Sequence, residues 1–319
     1  MYNNSHKYKR TLFLLFKLII VYGAFYFIYQ KLVDNQLLTF ATLTQQFQVA
    51  FSNNIWAFIA ILLCTDVNWF LEIFKWKNLV NTFQKITFFK AYEQSFGAHT
   101  ASLITPNRIG EYGAKALYFK KEYHKKIVGL NFIGNMCQLT ATTFFGCIGL
   151  VYVLLNFKIN FPEFNTKTLL IVGIILSILL LFKKQFRFFK IEQYPLQFSQ
   201  FLKSISTATY IKTLSFSFMR YLVFSHQFYF LLQLFGVKTD YFTLMSFIFC
   251  MYFFASFIPS LSIFDWVIKG SVAVWLFQFI EVNELTIITV TTFMWILNFA
   301  LPAILGSVFV LNFKTTSYE

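Results

Sequence analysis

The sequence predicts an all-α polytopic membrane protein, and three observations carry that fold class. The 319 residues are 57% hydrophobic and only 13% charged, with a mean hydropathy of +0.60. A soluble domain carries roughly 25% charged residues. Several apolar runs approach the ~20 residues that a helix needs to cross a bilayer. A proline–acid–lysine pattern also occurs twice, about half a chain apart: Pro106, Glu111 and Lys115, then Pro259, Asp265 and Lys269. Ionisable groups at membrane depth are costly unless they face a cavity or each other, so they mark candidate functional sites.

Candidate full spans cover 11–30, 54–72, 127–155, 168–182, 208–235 and 287–312. The first follows the basic stretch Lys7 to Arg10, as a signal peptide would. It is too long for one and lacks a small-residue cleavage site, so it reads as an uncleaved first span. Residues 91–105 are shorter, carry Glu93, Ser95, His99, Ser102 and Thr105, and stop at Pro106. Residues 242–258 stop at Pro259, and an apolar stretch resumes over 262–280. Proline removes a helical hydrogen bond, and broken backbone at membrane depth persists only where protein or a wet cavity covers it.

Loop charge decides between full crossings and re-entrant hairpins. If 91–105 crossed completely, Lys115, Lys120, Lys121, Lys125 and Lys126 would lie opposite Lys75, Lys77, Lys85 and Lys90. If it enters and returns, both clusters share a side with the N-terminus and with Lys183, Lys184, Arg187 and Lys190. The second arrangement obeys the positive-inside rule. By the same logic 242–280 is a hairpin entering from outside, flanked by Glu281 and Glu284. The expected architecture is one membrane domain over 1–319, with six full spans and two proline-broken re-entrant hairpins. Three spans per half make residues 1–156 and 157–319 an inverted repeat, as in many carriers.

The net charge of +14 does not point to nucleic acid. Its basic residues sit in short loops, where they suit anionic lipid headgroups. The 46 phenylalanines fit coding bias in an AT-rich genome better than a stacking platform. Cys64, Cys137, Cys147 and Cys250 all fall in apolar segments without a C-x-x-C pair, so packing is their expected role. No phosphate-binding P-loop, H-E-x-x-H zinc motif or G-x-S-x-G elbow is present. No cofactor, metal or catalytic residue is expected.

Two constellations remain. In the first, Glu111 and Lys115 at i and i+4 share a helix face, Gly110 permits close backbone approach, and Arg108 offers a fork suited to phosphate. In the second, Ser260 and Ser262 precede Asp265 and Lys269. Each supports two readings, a lipid-headgroup site or a helix-capping salt-bridge cluster. Asp66, inside the second span, and Arg220, in its counterpart by the repeat, are candidate partners across a shared interface. Glu72, Lys75 and Lys77 read as span-end residues that snorkel to the interface. His99 and His226 read as hydrogen-bonded structural histidines, with a proton relay as the alternative.

The run Ser102-Leu-Ile-Thr-Pro-Asn-Arg-Ile-Gly-Glu111, followed by Lys115 and Leu117, resembles the signature of the lysylphosphatidylglycerol synthase transmembrane-region family. Lys75-Trp-Lys-Asn-Leu79, Phe257-Ile-Pro-Ser-Leu-Ser-Ile-Phe-Asp265 and Leu301-Pro-Ala-Ile-Leu-Gly306 resemble further family segments in order, so the likeness covers nearly the whole chain. Two departures stand out. Ser262-Ile-Phe264 replaces the family's glycines, leaving less room near the backbone, and Asp265 replaces its glutamate. The resemblance implies a flippase-like role in a bacterial inner (cytoplasmic) membrane, with the N-terminus cytoplasmic. Its expected cargo is an anionic phospholipid or lipid-linked precursor, held at Arg108, Glu111, Lys115, Asp265, Lys269, Asp66 and Arg220. Pro106, Gly110 and Pro259 would supply the helix breaks. The family's soluble aminoacyltransferase domain has no counterpart in these residues, so aminoacylation is not expected. The alternatives are a membrane accessory partner of a separately encoded glycosyltransferase or lipid-modifying enzyme and, third, an intramembrane enzyme acting on a lipid-linked substrate.

Overall fold

A computed structural model describes residues 55–103, 105, 108–157, 200–201, 204–258 and 265–313, together with positions 15, 22, 26 and 48. The expected spans 11–30 and 168–182 lie outside these residues but for the isolated positions 15, 22 and 26, as do Pro106, Pro259, Ser260, Ser262 and the side chain of Asp265. The described residues are predominantly helical and include no strand.

Among the described residues nine α-helices are bounded, in order: α1 Ile55–Val80, α2 Phe88–Ser102, α3 Ile109–Ala116, α4 His124–Asn156, α5 Thr207–Leu234, α6 Tyr241–Phe257, α7 Asp265–Phe277, α8 Glu284–Trp295 and α9 Leu301–Asn312. Several starts are fixed by polar caps that satisfy otherwise orphaned backbone donors. Thr87, Ser206, Asp240 and Asn283 accept from Lys90, Thr209, Thr243 and Leu285 N–H at 3.2, 3.2, 3.0 and 2.8 Å. A π-turn, Ile296–Ala300, joins α8 to α9, with Pro302 just beyond it.

Among the described residues, three continuous helical stretches are long and apolar enough to cross a membrane: Ile55–Val80, Lys121–Asn156 and Glu284–Asn312. They coincide with the expected spans 54–72, 127–155 and 287–312. The expected span 208–235 is α5, which has 28 residues but is less apolar and carries Lys212 and Arg220. Helix α1 runs eight residues past its expected end. The physical reason is that Glu72 and Lys75 are not at an interface: both are buried and joined at 2.6 Å, so the helix continues through them.

Three antiparallel pairings organise the bundle. Helix α1 lies along α5, with Asn78 Nδ2 donating to Thr213 Oγ1 at one end and Gln227 Nε2 to Ile61 O at the other, 3.0 and 2.9 Å. Helix α2 lies along α9, where a Cβ on Gly306 would collide with Phe96 O. Helix α4 lies along α6, where a Cβ on Gly149 would come within 2.6 Å of Ser246 O. In membrane helices such small residues let backbones approach closely. Helices α2 and α3 pack together, as do α6 and α7. The two larger buried apolar clusters among the described residues centre on Trp76, Phe96 and Ile127 and on Phe228, Phe247 and Phe277.

Candidate functional site

Two charge clusters grow from helix periodicity. On α1, Asn68, Glu72 and Lys75 fall at i, i+4 and i+7, one face of the helix. That face meets α5, where Arg220 Nη1 donates to Glu72 Oε2 at 2.7 Å and Arg220 Nε to Asn68 Oδ1 at 2.9 Å. On α3, Glu111 and Lys115 pair at 2.8 Å. Lys115 Nζ also donates to Asn131 Oδ1 at 2.8 Å and stands 4.2 Å over the Trp76 ring. Arg108 Nη2 reaches the other Glu111 oxygen at 3.3 Å. The clusters act on each other, since Lys115 and Glu111 both lie within electrostatic reach of Glu72.

This alters one expected pairing. Arg220 does sit at the α1–α5 interface, but its carboxylate partner is Glu72 rather than Asp66. Asp66 is exposed, because two residues along a helix turn it roughly 200° from the Asn68 face. Glu72 and Lys75 therefore belong to the buried machinery instead of snorkelling outward.

Arg108 is held by unusual means. It caps α3 with φ 57° and ψ 29°, a left-handed conformation that costs a non-glycine residue about 1–2 kcal/mol. Its Nη2 donates to His99 Nδ1 at 2.8 Å, while His99 Nε2 donates to Phe299 O at 3.1 Å. With one nitrogen donating and the other accepting, His99 is a neutral imidazole in a defined tautomer. Phe299 lies within the π-turn, and Pro302 just beyond brings no N–H of its own. π-Turns recur at functional sites because they displace side chains and carbonyls from the regular ladder. Gly110 N–H donates to Thr105 Oγ1 at 2.9 Å, and a Cβ there would come within 2.7 Å of the same side chain.

A polar chain links the halves: Thr65 accepts from Gln227, Gln227 from Asn298, and Asn298 from Asn68, at 2.7, 2.8 and 2.7 Å. It ends at Arg220. Sequence reasoning missed Asn298 and Gln227, and placed Glu72 at the span end. Asn298 lies inside an apolar span four residues before a proline, which is a readable signal.

These parts surround one partly open cavity of about 510 Å³, within the usual range of ligand sites, roughly 300–1,000 Å³. Arg108 from the first motif and Lys269 from the second both line it, with Arg220 between them in sequence. Glu111 and Lys115 stand behind Arg108, buried and paired. Asp66 does not contribute to the wall. No carboxylate lines the cavity among the described residues. Trp69, Trp266 and Gln138 also face it, and their side-chain Nε1, Nε1 and both amide atoms have no hydrogen-bond partner among the described residues. These four atoms are themselves buried rather than open to the cavity. No three His, Cys, Asp or Glu side chains stand together as a metal site would require, among the described residues.

No family model matches the chain, and no curated protein or solved structure matches it.

Proposed function

We propose that this chain is a flippase-like membrane protein that moves the headgroup of an anionic phospholipid or lipid-linked precursor between the leaflets of the inner (cytoplasmic) membrane. One observation carries the reading: Arg108, Arg220 and Lys269, drawn from separate parts of the chain, line a single cavity. Cationic side chains that converge on an internal cavity are suited to neutralising a phosphate while acyl chains remain in lipid.

The reading includes six full spans, two re-entrant hairpins and an inverted repeat. The pairing of helices supports it. A two-fold axis in the membrane plane would exchange α1 with α5, α2 with α6 and α4 with α8–α9. It would pair α1 with α5 antiparallel and make the α2–α9 contact the counterpart of α6–α4. The described packing follows that pattern, down to Gly306 against Phe96 O and Gly149 against Ser246 O. Carrier sites form where such repeats meet.

The test is a leaflet-resolved assay in proteoliposomes containing trace labelled phosphatidylglycerol. Wild-type protein should speed leaflet exchange well above protein-free vesicles, and Lys269→Gln should slow it about tenfold, the loss of one charge-assisted contact. Exchange no faster than in protein-free vesicles overturns the reading.

A further inference from the structure

Resting on that reading of the cavity, we infer that Asn298 is a positioning residue: acting through Asn68, it fixes the orientation in which Arg220 presents its guanidinium to the cargo.

Hydrogen-bond direction fixes the chain of amides from both ends. An arginine only donates and a backbone carbonyl only accepts. At one end Arg220 Nε donates to Asn68 at 2.9 Å, so the atom there is the Asn68 oxygen. Its Nδ2 then turns to Asn298 Oδ1, 2.7 Å away. Asn298 is left to donate with Nδ2, which it does to Gln227 Oε1 at 2.8 Å. At the other end Gln227 Nε2 donates to the Ile61 carbonyl at 2.9 Å, which admits no reversal. The Met294 carbonyl, 3.3 Å from Asn298 Nδ2, imposes the same sense in the middle. No amide in the chain can flip without setting acceptor against acceptor or donor against donor. Asn68 and Gln227 are 2% and 0% exposed, so water does not relieve such a mismatch.

Arg220 makes a second bond, from Nη1 to Glu72 Oε2 at 2.7 Å. Glu72 alone would hold the charge and let the guanidinium plane turn. Asn68 supplies the second point, and two bonds from different nitrogens set the plane. Against a phosphate an arginine offers a planar fork as well as a charge, so its orientation matters. The π-turn is what brings Asn298 to this place. Leu301 N–H bonds Ile296 O, five residues back, and two consecutive residues inside the turn serve different helices. Asn298 reaches Asn68 on α1, while the Phe299 carbonyl accepts from His99 on α2, which holds Arg108. The side chain at 298 thus acts on one cavity arginine and the backbone at 299 on the other.

The full-length protein in detergent separates positioning from packing. Phenylglyoxal modifies guanidinium groups, and peptide mass analysis reads its rate at Arg220 and at Arg108 separately. Asn298→Leu should speed modification of Arg220 about fivefold, the loss of one hydrogen bond. It should leave Arg108 at its wild-type rate, because the Phe299 carbonyl remains. If the leucine variant does not fold, Asn298→Ala stands in for it under the same expectations. Asn298→Asp keeps the acceptor for Asn68 but sets a carboxylate oxygen against Gln227 Oε1. It should lower the unfolding temperature and still leave Arg220 no faster than in wild type. In proteoliposomes with labelled phosphatidylglycerol, Asn298→Leu and Arg220→Lys should each slow exchange about fivefold. The double variant should be no slower than either, because lysine keeps the charge and has no plane to orient. An unchanged Arg220 rate in Asn298→Leu, equal acceleration at both arginines, acceleration by Asn298→Asp as large as by Asn298→Leu, or multiplied losses in the double variant would each overturn the inference. If the wild-type protein exchanges no lipid, the translocation reading falls, and the modification rates alone decide whether Asn298 positions Arg220.

Discussion

Arg220 and Glu72 lie 148 residues apart in sequence and are joined at 2.7 Å across the α1–α5 interface. The same carboxylate oxygen also holds Lys75 at 2.6 Å. Removing one member of a buried ionic group leaves the others uncompensated, at a cost of about 3–5 kcal/mol.

Glu72→Gln should therefore destabilise the protein severely, because Lys75 and Arg220 both lose their counter-charge in one step. Lys75→Met alone should cost less, since Arg220 still serves the carboxylate. The double variant Glu72→Gln/Lys75→Met should be more stable than the two separate losses added together predict, as expected for groups that share a partner. Thermal unfolding in detergent measures all three. Additive losses would show that the cluster does not act as a unit.

The positions of the apolar helices were legible because hydropathy is local and membrane depth demands it. The face of α1 was equally readable: Asn68, Glu72 and Lys75 recur at helical spacing, whereas Asp66 does not share their side. Depth in the span drew attention to Asp66, but phase around the helix decides which acid meets Arg220. The left-handed backbone at Arg108 and the His99–Phe299 bond had no signal of their own. The second joins α2 to the π-turn near Pro302, about 200 residues away, a contact that no local pattern announces.

The Arg108 backbone separates the roles of its side chain and its conformation. Arg108→Ala loses the guanidinium and keeps the left-handed strain. Arg108→Gly loses the same group but adopts φ 57° without a Cβ penalty. Both should slow lipid exchange to a similar extent, while the glycine variant should be about 1 kcal/mol more stable than the alanine variant. Equal stability of the two in thermal unfolding would mean that the strain is not present in the folded protein.

The last prediction concerns how the first motif meets the membrane. Helix α2 has 15 residues, or about 22 Å at 1.5 Å per residue, short of the ~30 Å hydrocarbon core. Helix α3, of eight residues, packs back against it. A short helix that turns and packs on its successor returns to the side it came from, and here both flanks are basic: Lys85 and Lys90 before, Lys120, Lys121, Lys125 and Lys126 after. Placing those flanks on opposite sides would set one lysine cluster against the positive-inside bias. Single cysteines at Lys85 and Lys121, in a background without the four native cysteines, should therefore react with a membrane-impermeant maleimide from the same side, the cytoplasmic one. The native cysteines are removed so that only the introduced thiol can react. Labelling of Lys121→Cys from outside, with Lys85→Cys labelled only from within, would make α2 a full crossing. The inverted repeat built on two hairpins would then fall with it.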